Sequence, residues 1–262
     1  MSSILCLDIG NTRIKAGIFS RQQSPQPKES LLHTTIFEAS EAHNALRQLV
    51  SHYAPQAAIY ADVTQNKILP DYIYRELQLP TLALDHNTPL PFTNCYETPH
   101  TLGKDRLAAI AGAHYFYPHR NVLAIDAGTC IKYDFIDQNA NYRGGAIATG
   151  IRMQFAALHH FTQALPLINY DITQTPLVSV PLVGGNATNA LLSGVLHQTA
   201  AACNGIVAQY QQQYPQLLTL VTGGDAPFLQ QTLSYPSSYI SYLILYGLYH
   251  IYGYATQSAI EH

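Results

Sequence analysis

Charged side chains are scarce in this sequence. Only 11% of its 262 residues are Asp, Glu, Lys or Arg, against about 25% in an ordinary soluble domain. The 13 basic and 16 acidic residues give a formal net charge of −3. No basic cluster is present that could hold a nucleic-acid backbone. A DNA or RNA partner is therefore disfavoured.

Cysteine is also rare, and the four cysteines are widely spaced in the sequence. Cys6, Cys95, Cys130 and Cys203 show no Cys-x-x-Cys pattern, so neither a zinc site nor a disulfide framework is indicated. This use of cysteine fits a reducing compartment.

A long uninterrupted apolar run is missing as well. The longest apolar stretch, residues 239–254, contains several tyrosines, a histidine and two glycines. This composition disfavours a membrane-spanning helix and predicts a buried C-terminal helix. The N-terminus lacks the basic start and apolar core of a signal peptide. We therefore expect a cytoplasmic protein without a membrane partner.

One segment of the sequence occurs twice. Residues 5–15 read LCLDIGNTRIK and residues 123–132 read LAIDAGTCIK. With one gap, the repeat aligns Asp8, Gly10, Thr12 and Lys15 with Asp126, Gly128, Thr129 and Lys132. Each copy is an apolar run ending in Asp-x-Gly and followed by alternating residues, which predicts a β-hairpin. Strands and helices follow in both halves, so we expect an α/β fold with two lobes, residues 1–117 and 118–262.

Three further segments carry structural predictions. Helical spacing after Gly103 places Asp105 and Arg106 in the first turn of a helix. A long helix is predicted over residues 189–214, with Thr188 in the N-cap position. The Pro-, Gln- and Ser-rich residues 21–30 predict a loop.

An Asp-x-Gly turn after a strand suits phosphate chemistry. The glycine lets backbone N–H groups approach phosphate oxygens, and the aspartate offers a carboxylate to a metal ion or its bound water. One such turn alone is more simply a hairpin turn. Two that face each other across a cleft would form a phosphate clamp, as in the actin-like ATPase fold. A third glycine-rich turn, residues 222–226, follows another predicted strand.

Five ordered motifs resemble those of type III pantothenate kinases. They are Asp8-Ile-Gly-Asn-Thr12-x-x-Lys15, Gly103-Lys-Asp-Arg106, Asp126-Ala-Gly-Thr129, Gly144-Gly145-Ala-Ile and Gly185-Asn-Ala-Thr188 followed by Gly194. The resemblance spans about residues 4–250 and departs from the family at Thr149, where proline is expected. It implies duplicated ribonuclease-H-like, actin-like ATPase domains with mixed sheets flanked by helices and a cleft between them.

The resemblance also implies an activity. This is transfer of the ATP γ-phosphoryl group to the primary hydroxyl of pantothenate, the first step of coenzyme A biosynthesis, by a homodimer. Asp105 would be the catalytic base. The pantothenate site would comprise Tyr96, Gly103, Lys104, Asp105, Arg106 and, across the dimer interface, Thr188. The ATP site would comprise Asp8, Ile9, Gly10, Asn11, Thr12, Arg13, Ile14, Lys15 and Thr129.

The resemblance implies two kinds of cation. Asp8 would hold Mg²⁺ through water, and Asp126 would bind a monovalent cation, K⁺ or NH₄⁺. A single carboxylate with backbone carbonyls is chemically adequate for such a hard ion. Replacing K⁺ by Na⁺ should then depress activity strongly.

Simpler interpretations stay open at the level of single residues. Asp105 could be a carboxylate at a helix start, Arg106 a surface ion-pair partner, and Lys15 a solvated side chain. Two other functions also stay open: another small-molecule kinase of the superfamily, and a non-catalytic accessory binding protein of the same family. The joint presence of Asp8, Asp105 and Asp126 favours an enzyme.

Overall fold

The computed structural model describes residues 2–21, 27–64, 68–171 and 175–258. The chain forms two compact units. Unit 1 comprises Met1–Pro118, Ala140–Tyr142 and Tyr242–His262, and unit 2 comprises His119–Asn139 and Arg143–Ser241. The first boundary lies next to the predicted one at residue 117, whereas the C-terminal segment groups with unit 1. The division of the chain into two lobes, residues 1–117 and 118–262, stays a prediction from the sequence repeat.

The described residues form eleven β-strands and seven α-helices. The strands are β1 (Ser3–Ile9), β2 (Ile14–Ser20), β3 (Leu31–Phe37), β4 (Ala57–Asp62), β5 (Thr81–Ala83), β6 (Thr93–Asn94), β7 (Val122–Ala127), β8 (Cys130–Ile136), β9 (Asn141–Thr149), β10 (Leu218–Thr222) and β11 (Ser237–Tyr239). The helices are α1 (Ala42–Tyr53), α2 (Ile68–Arg75), α3 (Lys104–Phe116), α4 (Ile151–His160), α5 (Ala187–Gln213), α6 (Ala226–Thr232) and α7 (Leu243–Ser258).

Unit 1 contains a mixed sheet in the order β3-β2-β1-β4-β5. Strands β1, β2 and β3 are antiparallel neighbours, whereas β4 runs parallel to β1 and to β5. Alternation along β1 buries Leu5, Leu7 and Ile9 in a core shared with α1 and α2. The alternate face, which includes Asp8, is the one that α7 covers.

Helices α3 and α7 approach each other closely in unit 1. A Cβ atom on Gly247 would overlap the carbonyl oxygen of Ala108, and one on Gly112 would overlap that of Leu243. Only glycine permits backbones this close. The contact fixes α3, whose first turn carries Asp105 and Arg106.

Unit 2 repeats the strand order of unit 1. Strands β7 and β8 form an antiparallel hairpin, and β10 runs parallel to β7 and β11. The order β11-β10-β7-β8-β9 corresponds strand by strand to β5-β4-β1-β2-β3. Within unit 1, the first residues of β9 also pair with β6. The predicted α/β fold with two mixed sheets flanked by helices is confirmed.

Element boundaries differ from prediction at two helices. Helix α7 begins at Leu243 instead of residue 239, because β11 extends to Tyr239 and Tyr242 has a left-handed φ of 59°. Helix α5 is capped by Asn186, not Thr188, because the Asn186 side chain accepts a hydrogen bond from the Asn189 backbone N–H.

Two other sequence predictions concern loops and membrane spans. Within the predicted loop of residues 21–30, residues 22–26 lie outside the described residues, and Pro27–Ser30 form a 3₁₀ turn. Among the described residues, no helix combines the length and apolarity needed to cross a bilayer.

Candidate active site

The turn between β1 and β2 carries the first acidic motif. Asp8 is the next-to-last residue of β1, is buried, and stands opposite Lys15 in the hairpin register. The Lys15 Nζ atom lies 3.4 Å from Asp8 Oδ2. The Gly10 N–H donates to the Arg13 carbonyl at 3.2 Å, which closes the turn. The connecting residues Asn11, Thr12 and Arg13 are exposed.

A second buried carboxylate, Asp62, lies at the same end of this sheet. It pairs with Ile9 in the parallel register of β1 and β4, so it faces the side opposite to Asp8. Its Oδ1 atom accepts hydrogen bonds from the backbone N–H and hydroxyl of Thr64, each at 2.7 Å. Sequence reasoning missed Asp62, although it directly follows the predicted strand over residues 57–61. Its contacts close a turn.

Asp105 occupies the second position of α3. Its Oδ1 atom accepts a hydrogen bond from the Arg106 backbone N–H at 2.9 Å. A Cβ atom on Gly103 would lie only 2.5 Å from that oxygen. Gly103, the N-cap of α3, therefore leaves room for this carboxylate position without needing an unusual backbone, since its φ is −60° and its ψ 131°.

Arg106 lies in an aromatic environment. It is buried, with its guanidinium carbon 5.5 Å from the centre of the Tyr96 ring, a cation–π arrangement. The Tyr96 ring in turn stacks on Tyr142, with centroids 6.2 Å apart and an interplanar angle of 13°. The Tyr96 backbone N–H donates to Asn94 Oδ1 at 3.1 Å. Tyr96, one of 19 tyrosines in the sequence, is thus brought to Arg106 by the fold.

The hairpin between β7 and β8 carries the matching motif of unit 2. Asp126 stands opposite Lys132 in the register, and Lys132 Nζ donates to Asp126 Oδ2 at 2.7 Å. The Gly128 N–H donates to the Cys130 carbonyl at 3.1 Å. Thr129 is exposed at the tip of this turn.

The segment after β9 packs against this second turn. The Gly150 N–H donates to the Thr129 carbonyl at 3.1 Å, and a Cβ on Gly150 would overlap the carbonyls of Gly128 and Thr129. The carbonyl of Thr149 accepts from the Gln154 side chain at 3.1 Å. Hydrogen bonds therefore anchor the backbone around Thr149, the position where the resemblance led us to expect proline.

The third glycine-rich turn lies beside Asp126. Gly223 has a φ of +96°, and a Cβ there would lie 2.6 Å from Asp126 Oδ1. Asp225 follows two residues after Gly223, and its Oδ1 atom lies 3.8 Å from a guanidinium nitrogen of Arg152. Burial, with a smaller contribution from Asp126, raises the pKa of Asp225, while Arg152 opposes that rise. Sequence reasoning noted this turn but not the proximity of the two carboxylates.

Of the remaining predicted residues, Ile9 and Ile14 are buried in the core of unit 1, whereas Lys104 and Thr188 lie at helix starts. Lys104 is the first residue of α3, and Thr188 is an exposed residue in the first turn of α5. The Asn186 cap orients that turn. Among the described residues, no cluster of three or more His, Cys, Asp or Glu side chains is arranged to hold a metal ion.

Comparison with known proteins decides the family. The sequence model of the type III pantothenate kinase family matches residues 4–209. A type III pantothenate kinase of Flavobacterium johnsoniae is 35% identical over 230 residues, which cover 88% of this chain and 89% of that protein. The chain belongs to the type III pantothenate kinase family. The residues that the family model matches include both acidic hairpins and the first turn of α3.

Solved structures give the fold. A Campylobacter jejuni protein described as a candidate Baf family transcriptional activator matches with a TM-score of 0.57 and 22% identity over 95% of this chain and 97% of that one. A ROK family glucokinase from Streptomyces griseus, solved with glucose and AMPPNP, matches with a TM-score of 0.52 and 14% identity over 98% of this chain and 100% of that one. These likenesses show the fold alone, and it is the fold that the resemblance implied for this kinase family.

Proposed function

We propose that this chain transfers the γ-phosphoryl group of ATP to the primary hydroxyl of pantothenate, giving 4′-phosphopantothenate and ADP. Membership of the type III pantothenate kinase family supports the reaction class. The observation that carries the assignment is the first turn of α3, where the Asp105 carboxylate accepts a hydrogen bond from the backbone N–H of the buried Arg106.

Asp105 acts as the base. Its carboxylate accepts the proton of the pantothenate hydroxyl while that oxygen bonds to the γ-phosphorus and the bond to ADP breaks. One backbone hydrogen bond and the gap left by Gly103 hold the carboxylate in place. Phosphoryl transfer requires mainly such positioning together with charge neutralisation. A positioned base contributes about 10²–10⁴ in rate.

Arg106 and Tyr96 bind the acceptor. A guanidinium keeps its charge and offers a planar fork of donors, which suits the pantothenate carboxylate. The Tyr96 ring holds that fork from one face at 5.5 Å. Gly103, Lys104 and, across a dimer interface, Thr188 complete the proposed pantothenate site.

The ATP phosphates bind at the β1–β2 turn, whose residues Asn11, Thr12 and Arg13 are exposed. The other proposed contacts are Asp8, Gly10, Lys15 and Thr129, with the buried Ile9 and Ile14 taking part through their backbone. Backbone N–H groups of such turns can approach phosphate oxygens, and Lys15 adds a positive charge. The Lys15 side chain is 32% exposed and lies 3.4 Å from Asp8, so it is free to reorient toward phosphate.

The surroundings of Asp8 fit Mg²⁺. A single carboxylate oxygen is sufficient for an ion that keeps several of its own waters and takes its other ligands from phosphates. Mg²⁺ would neutralise charge on the phosphate oxygens there. Asp8 would hold the waters of that ion, and Lys15 would balance the remaining negative charge.

The surroundings of Asp126 do not fit a bound monovalent cation. A lysine ammonium of the same chain already lies 2.7 Å from its carboxylate. A second cation at that carboxylate would be repelled by the first in a partly desolvated environment. The proposed reaction therefore includes no step that depends on K⁺ or NH₄⁺.

We also propose that the enzyme is a homodimer and that it is cytoplasmic. Eight of the nine large apolar side chains that are exposed among the described residues of unit 2 fall within residues 147–183; the eight are Ile147, Met153, Leu158, Phe161, Leu167, Val178, Leu182 and Val183, and the ninth is Tyr239. Such a concentration supports a homodimer interface on this unit. The free thiols Cys6, Cys95, Cys130 and Cys203 support a cytoplasmic enzyme that begins coenzyme A synthesis.

A coupled assay tests the proposed function. ADP release is measured with ATP, Mg²⁺ and pantothenate, and glucose serves as a control acceptor that separates this reaction from sugar phosphorylation. Asp105→Asn should lower kcat by about 10²–10⁴ while the circular dichroism spectrum and Tm stay unchanged. Full activity of Asp105→Asn would remove the base assignment. Absence of pantothenate-dependent ADP release from the wild type would refute the function and leave an accessory binding protein.

A further inference from the structure

Two hairpins of this protein place a lysine opposite an aspartate at the same register. Asp8 faces Lys15 in unit 1, and Asp126 faces Lys132 in unit 2. The two ion pairs differ in geometry. Lys15 is 32% exposed and 3.4 Å from its carboxylate, whereas Lys132 is 19% exposed and 2.7 Å from its own. Only the second pair combines a short contact with a well-covered ammonium.

The other side of Asp126 is closed by backbone. Gly223 approaches so closely that a Cβ there would lie 2.6 Å from Asp126 Oδ1 and would overlap the Ala127 carbonyl. Asp225 lies near enough for the two carboxylates to interact, and Arg152 lies 3.8 Å from Asp225. Lys132 and Arg152 therefore balance the charges of these two acids.

An ammonium group can do what a bound monovalent cation does for a carboxylate. It carries the same single charge, lies at hydrogen-bond distance, and needs no separate binding step because it is attached to the chain. The cross-strand register fixes it opposite Asp126 whenever the hairpin is formed.

We propose that the Lys132 ammonium takes the place of a monovalent cation at Asp126, so that this kinase works without K⁺ or NH₄⁺. Lys132 is then a positioning residue that acts through Asp126. The inference rests on the proposed kinase function for its activity test, and a second test below does not depend on activity.

The first experiment compares cations. The wild-type kcat and the KM for ATP are measured at constant ionic strength in the chlorides of K⁺, NH₄⁺, Na⁺ and tetramethylammonium. We expect less than a twofold spread between these salts. Lys132→Ala should lose about tenfold or more in kcat/KM in Na⁺, because a buried carboxylate loses its counter-charge, and K⁺ or NH₄⁺ should restore most of that loss. Lys132→Arg should keep the cation independence of the wild type.

Lys28→Ala is the matched control, because Lys28 is exposed in the 3₁₀ turn of residues 27–30. It should behave as the wild type in every salt. A wild-type activity that falls tenfold or more when Na⁺ replaces K⁺ would overturn the proposal. Loss of activity in Lys132→Ala without rescue by K⁺ or NH₄⁺ would also overturn it.

The second experiment needs no activity. The Tm is measured by circular dichroism in the same salts. The wild type should show equal values in K⁺ and Na⁺, and Lys132→Ala should be stabilised specifically by K⁺ or NH₄⁺. A K⁺-specific rise in the wild-type Tm would refute the proposal even if pantothenate were not the substrate. Equal wild-type values without kinase activity would refute the proposed function alone.

Discussion

Gly103 has no side chain, and the Asp105 carboxylate uses the space that one would need. The φ and ψ angles of Gly103 are accessible to any residue. Glycine is therefore needed here for the space that a Cβ atom would occupy, and not for its backbone freedom. A single missing Cβ atom thus controls where the proposed base points. Gly223 has the same relation to Asp126 in unit 2, with the added demand of a positive φ.

Gly103→Ala tests this control. The new Cβ would lie 2.5 Å from Asp105 Oδ1, so the carboxylate must rotate away. We expect kcat to fall by about 10–10²-fold, since misplacing a base removes much of its contribution, with the Tm nearly unchanged. Steady-state kinetics and thermal unfolding measure both. Gly205→Ala, where no atom lies within 4 Å, is the control, and equal activity of the two variants would contradict the steric argument.

At the scale of elements, the contact between α3 and α7 fixes the position of the helix that carries the proposed base. Gly112 and Gly247 let the two backbones meet, and the C-terminal helix thereby supports the helix that carries Asp105. The aromatic side chains around them, Phe19, Tyr115, Phe116, Tyr246 and Tyr249, form edge-to-face and stacked pairs. Such pairs add to the burial of apolar area.

Gly247→Ala should separate these helices. Its Cβ would overlap the Ala108 carbonyl, and we expect the free energy of unfolding to fall by about 3 kcal/mol or more, at the upper end of overpacking effects. Gly253→Ala lies on the same helix with no atom within 4 Å, and it should stabilise by about 0.5–1 kcal/mol through helix propensity. Urea unfolding of both variants provides the measurement. A Gly247→Ala protein as stable as Gly253→Ala would disprove the close contact.

His250 makes the stability of this helix pair sensitive to acid. Burial, with His114 contributing, lowers the pKa of His250 to about 4, against an ordinary value of about 6.5 in an unfolded chain. Between these values the unfolded state binds the proton and the folded state does not, so stability is lost as the pH falls below about 6.5. Between pH 7 and pH 5 the loss is about 2 kcal/mol.

His250→Phe should remove that loss while keeping the ring that stacks on Tyr115 at 4.8 Å. The free energies of unfolding at pH 7 and pH 5 should then differ less than in the wild type by about 2 kcal/mol. Urea titrations at the two pH values measure the difference. An unchanged pH dependence would place the acid sensitivity at other groups.

At the scale of the whole molecule, the exposed apolar residues of unit 2 lead to a prediction about assembly. Phe161, Val178 and Val183 are each more than four-fifths exposed, at 83%, 91% and 84%. Leaving such side chains in water is unfavourable by about 1.5–3 kcal/mol each relative to burial. A second copy of the chain is the partner that we propose for them.

Phe161→Glu combined with Val178→Glu should shift the proposed dimer to monomer. Burying a glutamate carboxylate in the interface without a counter-charge costs more free energy than burial of the apolar side chain contributes at that position. Sedimentation velocity at micromolar concentration measures the shift, and activity should fall with it because Thr188 is proposed to act across the interface. The exposed pair Asn44→Glu and Gln48→Glu on α1 of unit 1 is the control. A wild-type monomer at these concentrations would contradict the prediction.

The sequence alone determined the architecture and the chemistry of the motifs. Repetition of an apolar run with Asp-x-Gly predicted both hairpins, because alternation and turn residues act over a few positions of the chain. The same local information placed Asp105 and Arg106 in the first turn of α3. It located the N-cap of α5 two residues late, because Asn and Thr are both good caps and only the folded backbone selects one.

Only the tertiary structure decided which side chains meet. Tyr96 lies ten residues from Arg106 and stacks on the distant Tyr142, and no local pattern contains that contact. The same holds for the approach of α7 to α3 and for the nearness of Asp225 to Asp126. Lys132 was visible as part of the repeat, but its 2.7 Å contact with Asp126 depends on packing around the hairpin. Contacts between distant segments arise when helices and sheets bury their apolar faces against each other. The sequence pattern shows which faces must be buried, but only the folded structure shows which faces pack together.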